Sequence, residues 1–598
     1  MMDLIQKGRI AIDIETSGLR PYQHRLHLIA VGNKDTQRVI NFHEVKNIIN
    51  FEISVLGELV QILEDRSIEK IGHNIAFDAL WLAVKLNCRP VNLYDTMTME
   101  KIAESGKWLG DSDDTAGHGM KQYNLINTLK RYKFKLDLPD KDITKTFIDY
   151  EGTEFTDEQI NYAKDDIKFL FDLREKQWEK IVNFELEEVA KMEKRFTEVL
   201  VHIQKNGINF DLRKWIEIYN ENKTVRAKAE KYLNTKKFIN WASPPQVLEA
   251  LKEFDINVPD TNSNTLRHYL RDRKLKKMQR TILERLLEFR LHHKRVTSFG
   301  SNIVASVDPD MRIRGNFNQL LATGRMSMMK PNLQQIPGPP EYRACFKASP
   351  GKVLVCADYS SQELVIIATG AGEKKWLDTV KEGKDLHSMS AALLYGDAWT
   401  MVAQPNCEFK TAGKKCSCPD HKVMRDRAKS LSFGLAYGLT YKTYAHTVGV
   451  TEDEAATLYD KYFDAFPAIE NWLEHNADYT QRHSNAYTFG PFYRRRRVTD
   501  AHNYRKRNIG KNTPVQGTAG DMMKLAAIKF YNWLNKNSIE HTKLLLLIHD
   551  EIMVETDPEI APMIAEQVKE CMEAAAKVIL EHNLLKADPI ITDVWKKE

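Results

Sequence analysis

The chain has 598 residues, 42% of them hydrophobic and 28% charged, and this composition excludes a disordered or fibrous protein. A formal net charge of +5 at pH 7 permits a nucleic-acid partner without arguing for one, because local basic patches decide such binding. The length predicts about three to five domains. We find no signal peptide and no apolar run near the roughly 18 residues of a membrane span. Since the seven cysteines also suit a reducing compartment, we expect a cytoplasmic protein without membrane contact.

The segment RIAIDIETSG alternates between two faces, which predicts a β-strand. One face would carry Ile10, Ile12 and Ile14, and the other would carry Ala11, Asp13 and Glu15. Two neighbouring carboxylates repel each other, and a divalent cation bound through oxygen is the usual way to offset that repulsion. Two solvated acids on an exposed strand face are the alternative for this segment alone.

Further acids follow at helical spacing. Asn74 and Asp78 lie four residues apart, as do Tyr162 and Asp166, and each pair would share one helix face. The ordered set D-x-E, N-x-x-x-D and Y-x-x-x-D resembles the DnaQ-like 3′–5′ exonuclease family, in its tyrosine-containing subtype.

This resemblance implies an active nuclease site with two metal ions. The ions would generate a hydroxide and stabilise the leaving oxygen of an in-line displacement. Four acids would hold them: Asp13, Glu15, Asp78 and Asp166. The hydroxyl of Tyr162 would orient the attacking water, and Thr16 would contact the terminal nucleotide. Asp95, in YDTMTMEKI, is expected to be structural.

From about residue 186 the sequence becomes helical and strongly charged. Apolar residues recur at spacings of three and four in FELEEVAKMEKRFTEVLVHIQKNG, and Gly207 should end that helix. NWASPPQVLEALKE predicts a helix that begins at proline, and RTILERLLEFRLHHKRVTSFG predicts another long helix. A helical bundle with a solvated charged face is the plain interpretation, although its basic side chains could follow a phosphate backbone.

The segment KVLVCADYSSQELVIIATG begins as an apolar strand. The end of that strand would deliver Asp358 to a cleft, and a helix carrying Glu363 would follow. We expect Ser360 or Ser361 to cap that helix with its hydroxyl.

The segment KLLLLIHDEIMVE consists of two apolar runs joined by His549, Asp550 and Glu551. This pattern predicts a β-hairpin that displays its carboxylates at the tip. An ordinary polar turn is the alternative for the tripeptide alone.

The segment RDRAKSLSFGLAYG repeats a distinctive side chain every four residues: Arg425, Lys429, Phe433 and Tyr437. Steps of four drift by only about 40° around a helix, so these side chains would form one winding stripe. The stripe is a poor core face, because two unpaired cations cannot be buried. Cations for phosphates and rings for sugar and base would suit a nucleoside triphosphate.

DYSSQEL, RDRAKSLSFGLAYG and HDE resemble motifs A, B and C of the family A DNA polymerases, the bacterial DNA polymerase I class. Other stretches that resemble the family are TGRMSMMKPNLQQIP, with Arg325, Asn332 and Gln334, GKDLHSMSAALLYG, with His387, and NTPVQGTAGDMMK, with Asn512 and Gln516. The resemblance covers nearly the whole chain from about residue 10.

The resemblance implies a multidomain protein of the α/β and α+β classes. An RNase H-like exonuclease domain would span 1–185, and a right-hand polymerase domain would follow. Its parts would be a helical thumb region at 186–310, a palm at 311–371 and 498–598, and fingers at 372–497.

The implied activity is template-directed addition of deoxynucleotides to a primer 3′-OH, with 3′–5′ proofreading. Asp358, Asp550 and the backbone of Tyr359 would hold two Mg²⁺ ions, for which Mn²⁺ can substitute. One ion would lower the pKa of the 3′-OH, and the other would bind the triphosphate and the leaving pyrophosphate. Glu551 would be a modest helper.

The resemblance also implies the contacts to nucleotide and DNA. Phosphates would be bound by Arg425, Lys429 and His387, and Lys429 would also donate a proton to pyrophosphate. Glu363 would block a 2′-OH, Tyr437 would lie near the templating base, and Phe433 implies poor use of dideoxynucleotides. Gln362 would be a further nucleotide contact. The expected DNA contacts are Arg325, Asn332, Gln334, Asn512, Gln516 and His549.

The chain departs from the family pattern at a few positions. Gln362 stands where an aliphatic residue is common, Val365 where arginine is common, and Asn508 where arginine is expected, with Arg507 one step earlier. Since the chain begins at the proofreading domain, we expect no 5′-nuclease domain. A compact proofreading polymerase of this kind resembles a bacteriophage replicase, which would act in the cytoplasm of the host cell. Expected partners are primer–template DNA and dNTPs, with a processivity factor, helicase or single-strand-binding protein as further candidates.

Two other hypotheses differ in class from a replicative DNA polymerase. One is a non-catalytic nucleic-acid-binding scaffold on an inactive polymerase fold, and the other is a nuclease whose C-terminal part only grips DNA. The complete set of carboxylates in both halves argues against the scaffold.

The segment CEFKTAGKKCSCPDH, at 407–421, would be an insertion in the fingers that ends four residues before Arg425. Cys407, Cys416, Cys418 and His421 are four ligands of the type that tetrahedral structural zinc uses. Because the C-x8-C-x-C-x2-H spacing is uncommon, a surface insertion with free thiols is the alternative, and a disulfide is disfavoured by the reducing compartment.

Overall fold

The computed structural model describes residues 1–45, 54–109, 121–135, 141–271, 274–435, 437–499 and 502–596. In these ranges no helix has a stretch that is both long enough and apolar enough to cross a bilayer.

The N-terminal region is built on a five-stranded sheet of order β3-β2-β1-β4-β5. Its strands are β1 (Arg9–Thr16), β2 (Leu26–Gly32), β3 (Gln37–Asn41), β4 (Glu69–Gly72) and β5 (Leu93–Asp95). Its helices are α1 (Phe42–Val45), α2 (Val55–Glu64), α3 (Ile75–Lys85), α4 (Thr96–Ala103), α5 (Leu125–Arg131), α6 (Asp157–Lys168) and α7 (Leu170–Asn183).

The strand predicted from RIAIDIETSG is confirmed as the centre of this sheet. It runs antiparallel to β2 and parallel to β4. Ile10, Ile12 and Ile14 are buried in one core with residues of α2 and α3, whereas Ala11 packs on the opposite face with Ile167 of α6. The helices on both faces hold the strand rigidly, so the direction of its two acids is fixed.

The middle of the chain is mostly helical. Its elements are α8 (Glu187–Asn206), β6 (Ile208–Phe210), α9 (Leu212–Asn234), α10 (Pro244–Glu253), α11 (Ser263–Tyr269), α12 (Lys277–Phe299), α13 (Ser301–Val304), β7 (Arg312–Ile313), β8 (Asn316–Asn318), β9 (Ser327–Met329), α14 (Pro340–Arg343) and β10 (Phe346–Lys347). The three predicted helices are confirmed, and α8 ends at Gly207, whose φ of +59° favours glycine.

The helices expected to form the thumb divide into two groups. α9 and α12 lie side by side and share a small core with α10, built around Trp241, Leu251 and Leu286. α8 instead packs against α3 and contributes Val199 to the same core as Val355. The first helix of the predicted thumb region 186–310 thus packs apart from the other two, and the predicted domain boundaries stay predictions.

A strand and a helical region follow. They comprise β11 (Val353–Tyr359), α15 (Gln362–Ala371), α16 (Lys374–Lys381), α17 (Leu386–Tyr395), α18 (Asp397–Met401), α19 (Glu408–Ala412), α20 (Pro419–Leu435), α21 (Tyr441–Val448), α22 (Glu452–Ala465), α23 (Pro467–His483), β12 (Asn485–Tyr487) and β13 (Arg495–Arg497). These helices pack around a separate core that includes Trp376, Tyr444 and Tyr462. They form a compact helical region beside the strand that carries Asp358.

The C-terminal sheet has four strands in the order β14-β15-β11-β16. The remaining elements are α24 (Asn503–Lys536), β14 (Lys543–Ile548), β15 (Glu551–Thr556), α25 (Ala561–Leu580) and β16 (Ala587–Thr592). One face packs on α24 and α25, and the other packs on Phe346 and Trp595. The predicted hairpin is confirmed, since β14 and β15 pair antiparallel around the turn at His549 and Asp550.

Two local expectations are wrong. α20 ends at Leu435, so Tyr437 lies in the following turn, where Gly438 takes a φ of +74°. Ser361 occupies the cap position of α15 but makes no side-chain capping bond, and the hydroxyl of Ser360 donates to the Asp588 carboxylate instead. In both places a tertiary contact or a glycine overrides the local pattern.

A buried network of charges joins α8 to α24. Lys524 Nζ donates to Glu193 at 2.6 Å, and Arg494 Nη2 lies 2.5 Å from both Glu193 and Asp521. Burial would raise the pKa of Glu193, but the charges of Lys524 and Arg494 outweigh that effect and lower it. Lys524 Nζ also donates to the carbonyl oxygen of Gly324 at 2.8 Å, immediately before Arg325. Two cations and two anions thus balance in the interior and hold the loop that carries Arg325.

Replacing Lys524 with methionine (Lys524→Met) should destabilise the protein by about 3–5 kcal/mol, because it leaves a net buried negative charge. The urea midpoint of unfolding measures the change. Lys191→Met is the matched control, since Lys191 pairs with Glu188 on the surface and should change stability by less than about 1 kcal/mol. Equal midpoints for the two variants would contradict a structural role of the network.

Candidate active sites

Three acids meet beside the central strand of the N-terminal sheet. Asp13 and Glu15 leave β1, and Asp166 comes from α6, which packs across that strand. Carboxylate oxygens of the three side chains lie within 4.8 Å of one another. Asp78 is anchored next to them, because its Oδ1 accepts a hydrogen bond from the backbone N–H of Ile14 at 3.1 Å. The four predicted acids are therefore close together, with three of them positioned to share one cation.

The surroundings make ionisation of these acids costly in the absence of a cation. Burial and the neighbouring charges of Asp78 and Asp166 raise the pKa of Asp13 well above its ordinary value, and burial likewise raises that of Glu15. Burial raises the pKa of Asp78 to about 8 and that of Asp166 to about 6. A hard divalent cation that binds carboxylate oxygen fits this donor set.

Tyr162 lies one helical turn before Asp166 on α6 and is half-buried. A hydrogen bond from its hydroxyl to Asp166 partly opposes the effect of burial on the pKa of that acid. Thr16 ends β1 and donates to the carbonyl oxygen of Gly18 at 2.7 Å. Asp95 caps α4 through the N–H of Met97 at 3.0 Å, which agrees with the structural role expected for it.

Asp358 and Asp550 lie at adjacent strand ends of the C-terminal sheet. In the register of β11 with β15, Asp358 stands opposite Glu551. The backbone N–H of Tyr359 donates to the carbonyl oxygen of Asp550 at 3.2 Å. Both aspartates are partly exposed, as a cleft requires. The prediction that the hairpin tip displays Asp550 is therefore confirmed.

The neighbours of Asp550 differ from it in exposure. His549 is exposed in the turn and has a positive φ of +54°. Glu551 is only 3% exposed, and its carboxylate accepts a bond from the indole N–H of Trp595 at 3.0 Å. The side chain of Glu551 is thus fixed in the sheet, whereas Asp550 is partly exposed.

The cations of the helix stripe occupy different environments. Arg425 makes a bidentate pair with Asp385, at 2.7 and 2.8 Å, while Lys429 is exposed one turn later. His387 is buried with its ring 5.6 Å from that of Phe433. Burial lowers the pKa of His387 to about 4, so its imidazole is neutral near pH 7 and can donate a hydrogen bond without adding charge.

A polar network surrounds Glu363 at the start of α15. Its carboxylate pairs with Arg325, and it accepts from the hydroxyl of Tyr437 at 3.1 Å. Gln516 donates to the same tyrosine oxygen at 2.7 Å. Three separate segments thus fix the position of one carboxylate, and Tyr437 reaches it from the turn after α20.

Gln362, the predicted nucleotide contact, lies mostly inside the protein. This side chain is only 5% exposed, and its amide donates to the carbonyl oxygen of Ala519 on α24 at 3.4 Å. Val365, the other departure in this segment, is also buried and packs in the core. Gln362 and Val365 therefore face inward, and Glu363 alone of these three is partly exposed.

The other predicted DNA contacts lie on two segments. Asn332 caps a short 3₁₀ helix at Leu333–Gln335 through the N–H of Gln334, with a distance of 3.1 Å. Asn512 and Gln516 are partly exposed one turn apart on α24. Arg507, nearer the start of α24, is engaged by Glu474 and Asp478 of α23.

Comparison with known proteins decides the family. The profile of DNA polymerase family A matches residues 213–597, and a 3′–5′ exonuclease profile matches residues 1–182. The chain belongs to DNA polymerase family A. It is a DNA-directed DNA polymerase with an N-terminal 3′–5′ exonuclease domain.

Relatives of this polymerase include DNA polymerase I of Aquifex aeolicus, which is 27% identical over 98% of this chain and 96% of that protein. DNA polymerase I of Borreliella burgdorferi is 24% identical over 96% of this chain but only 61% of its own length. The thermostable DNA polymerase I of Thermus aquaticus is 31% identical over 49% of this chain and 34% of that protein. The chain thus spans nearly all of one relative and a smaller part of the others.

Among solved structures, the POL domain of Pol1 from M. smegmatis, in complex with DNA primer-template and dNTP, has the same fold. Its TM-score is 0.79 at 21% identity, and the match covers 98% of this chain and 95% of that one. The predicted order of an exonuclease domain followed by a family A polymerase domain is confirmed.

Sequence reasoning missed several residues that support the polymerase site. Asp385 lies two residues before His387 in GKDLHSMSAALLYG, yet its pairing with Arg425 joins residues 40 positions apart. Glu193 and Lys524 are 331 positions apart, and Trp595 lies 44 positions from Glu551. No local spacing signals such contacts, because they depend on how distant elements pack.

The four residues of the Cys/His cluster converge in the helical region of the polymerase domain. Ligand atoms of Cys407, Cys416, Cys418 and His421 lie within 4.8 Å of one another. His421 Nδ1 is 3.1 Å from Cys416 Sγ, and its Nε2 is 2.7 Å from the carbonyl oxygen of Trp399. All the described cysteines are free.

Asp13→Asn should stabilise the metal-free exonuclease domain by about 1 kcal/mol or more at pH 8, because it removes a buried charge beside like charges. It should also lower 3′–5′ trimming at least about a hundredfold. Thermal unfolding in EDTA and trimming of single-stranded DNA measure the two effects. Adding Mg²⁺ should raise the midpoint of the wild type more than that of the variant.

Asp172→Asn is the control, since Asp172 is exposed on α7 and lies outside the cluster. A lower midpoint for Asp13→Asn in EDTA would show that the acids do not repel one another.

Proposed function

We propose that this chain extends a primer 3′-OH by template-directed nucleotidyl transfer at Asp358 and Asp550. We also propose that it removes mispaired nucleotides at a second site, formed by Asp13, Glu15 and Asp166 with Asp78. The observation that carries the first proposal is the register of the C-terminal sheet, which brings Asp358 and Asp550 to neighbouring strand ends. Both acids are partly exposed.

The donor chemistry at both sites suits Mg²⁺, because the available ligands are carboxylate oxygens. Asp358, Asp550 and the backbone of Tyr359 would hold metal at the polymerase site, and the four N-terminal acids would hold it at the exonuclease site. When bound, such ions supply activation of the attacking oxygen and neutralisation of charge on the leaving group. Mn²⁺ prefers the same ligands and would substitute.

The side chains near the cleft have distinct tasks in this proposal. Arg425 and Lys429 would bind the triphosphate. Arg425 is oriented by Asp385, whereas Lys429 is exposed. Its ammonium would donate a proton to the leaving pyrophosphate. His387 would donate a neutral hydrogen bond to a phosphate oxygen, while Phe433 would pack beside it. Asp385 would keep the Arg425 fork pointed at the phosphates.

Selection of deoxynucleotides would rest on Glu363. Its carboxylate is held in place by Arg325 and Tyr437, so it cannot easily move aside for a 2′-hydroxyl. Tyr437 would lie near the templating base, with Gln516 fixing its hydroxyl. Primer and template would be contacted by Arg325, Asn332, Gln334, Asn512, Gln516 and His549.

At the exonuclease site, Tyr162 would orient the attacking water and Thr16 would contact the terminal nucleotide. Tyr162 is half-buried beside Asp166, which supports this task.

Glu551 would act by positioning the hairpin through Trp595, and not by touching substrate. Primer–template DNA and dNTPs are the proposed partners; a processivity factor, helicase or single-strand-binding protein, and a bacteriophage origin, stay predictions.

For the Cys/His cluster we propose a structural zinc ion. Tetrahedral coordination with Zn–S near 2.3 Å and Zn–N near 2.0 Å separates ligand atoms by roughly 3.5 Å, which fits the cluster. The Nε2–H of His421 donates to the carbonyl oxygen of Trp399, and this bond leaves Nδ1 free to bind metal. The ring of His421 also stacks on Trp399, with centroids 3.7 Å apart. Zinc here would take no part in nucleotidyl transfer.

Asp550→Ala should reduce primer extension at least about a thousandfold and leave 3′ trimming unchanged, because each site has its own carboxylates. Asp13→Ala should have the opposite effect. Extension of a 5′-labelled primer with dNTPs, and trimming without them, measure both activities. Retained DNA binding without extension by the wild type would favour the scaffold hypothesis, and loss of both activities in either variant would contradict separate sites.

Glu363→Ala should increase incorporation of ribonucleotides relative to deoxynucleotides by about tenfold or more, because the barrier to the 2′-hydroxyl is removed. The ratio of kcat/KM values for dNTP and rNTP measures this selectivity. Glu373→Ala is a control on the next helix, where Glu373 caps α16 away from the cleft. An unchanged ratio in Glu363→Ala would assign selection to another residue.

A further inference from the structure

The Cys/His cluster adjoins the proposed triphosphate site through two separate connections. The first runs along α20, where His421 lies in the first turn and Arg425 lies four residues later. Residues at this spacing share one face of a helix. A metal ion that fixes His421 would therefore also fix the helical turn that carries Arg425.

The second connection runs through the loop between the cysteines. The carbonyl oxygen of Gly413 accepts a hydrogen bond from the backbone N–H of Asp385 at 2.8 Å. Asp385 caps α17 through the N–H of Ser388 at 2.8 Å and also holds the guanidinium of Arg425 with both oxygens. Both members of the Arg425–Asp385 pair are therefore attached to the cluster.

The loop fits closely against this pair. Gly413 has a φ of +67°, and a Cβ atom placed on it would come within 2.5 Å of the Lys384 side chain. Movement of the loop would consequently move Lys384 and Asp385 at the start of α17.

Apart from the cluster residues themselves, the loop between the cysteines buries few side chains. α19 has five residues and buries none of them, and its neighbours Lys414, Lys415 and Ser417 are exposed. Phe409 touches Trp399, with ring centroids 5.3 Å apart, and is a modest apolar anchor. A segment with so small a core usually needs a metal or a disulfide to stay ordered, and the cysteines are free.

We propose that zinc at this cluster sets the affinity of the polymerase for the incoming nucleotide by fixing the Arg425–Asp385 pair. This inference rests on the proposed triphosphate site. The ligands act as positioning residues: they touch neither nucleotide nor DNA. Loss of zinc releases the Gly413 loop and the first turn of α20, and the fork of Arg425 then loses its fixed direction. Nucleotide binding weakens, whereas the distant exonuclease site is unaffected.

The test compares Cys418→Ser and Cys418→His with the wild-type full chain. Zinc content is measured by elemental mass spectrometry, KM and kcat by single-nucleotide extension, and 3′ trimming on single-stranded DNA. Cys418→Ser should lose zinc and raise the KM for dNTP about tenfold, with kcat changed less than about threefold and trimming unchanged. Cys418→His retains a zinc ligand and should keep both zinc and the wild-type KM. Cys571→Ser is the control, since Cys571 is a buried cysteine outside the cluster.

Asp385→Asn is a second variant that tests the same inference if Cys418→Ser does not fold. This variant weakens the hold on Arg425 without touching a zinc ligand, so it should raise the KM for dNTP while the zinc content stays at one ion per chain. Limited proteolysis should cut the 407–418 segment faster in Cys418→Ser but not in Asp385→Asn.

The outcomes separate this inference from the proposals on which it rests. Loss of zinc with an unchanged KM would overturn the inference and leave the zinc site standing, and an unchanged KM in Asp385→Asn would also overturn it. Wild-type protein without zinc would overturn both the inference and the zinc site. A wild type that trims DNA but does not extend primers would instead overturn the proposed polymerase reaction.

Discussion

Repulsion between neighbouring carboxylates is the physical constraint that governs the N-terminal candidate site. Asp13 and Glu15 point from the same face of one strand, and Asp166 approaches them from a helix. Burial raises the pKa of all three acids, and repulsion from neighbouring carboxylates adds to that shift for Asp13 and Glu15, so the folded domain holds these groups at a cost in free energy. That cost is offset when a divalent cation binds, and the fold keeps the acids together because sheet and helices fix their directions.

The C-terminal half places its two cleft acids at less buried positions. Asp358 and Asp550 come to neighbouring strand ends, where water still reaches them. The residues around them are fixed by partners that stay inside the protein: Trp595 holds Glu551, and Lys524 holds the carbonyl of Gly324. Because these partners supply the hydrogen bonds and charges that buried polar groups need, the interior remains balanced in charge while the cleft remains polar.

Much of this architecture could be predicted from sequence because it depends on local pattern. The alternation around Asp13 predicted β1, the apolar runs around Asp550 predicted the hairpin, and Gly207 marked the end of α8. Local pattern is not sufficient where distant contacts decide. Ser360 bonds Asp588 instead of capping α15, and the inward turn of Gln362 depends on α24. Contacts between residues hundreds of positions apart, such as Glu193 with Lys524, have no local signal.

We propose that two separate carboxylate sites in one chain act in turn on the same primer end. The most direct measurement supplies the wild-type chain, Mg²⁺ and all four dNTPs with a primer whose 3′-terminal nucleotide is mismatched, and then sequences the extended products. We expect products that carry the template-complementary nucleotide at the mismatch position, because excision precedes extension. Extended products that retain the mismatched nucleotide, or the absence of any extended product, would contradict the claim.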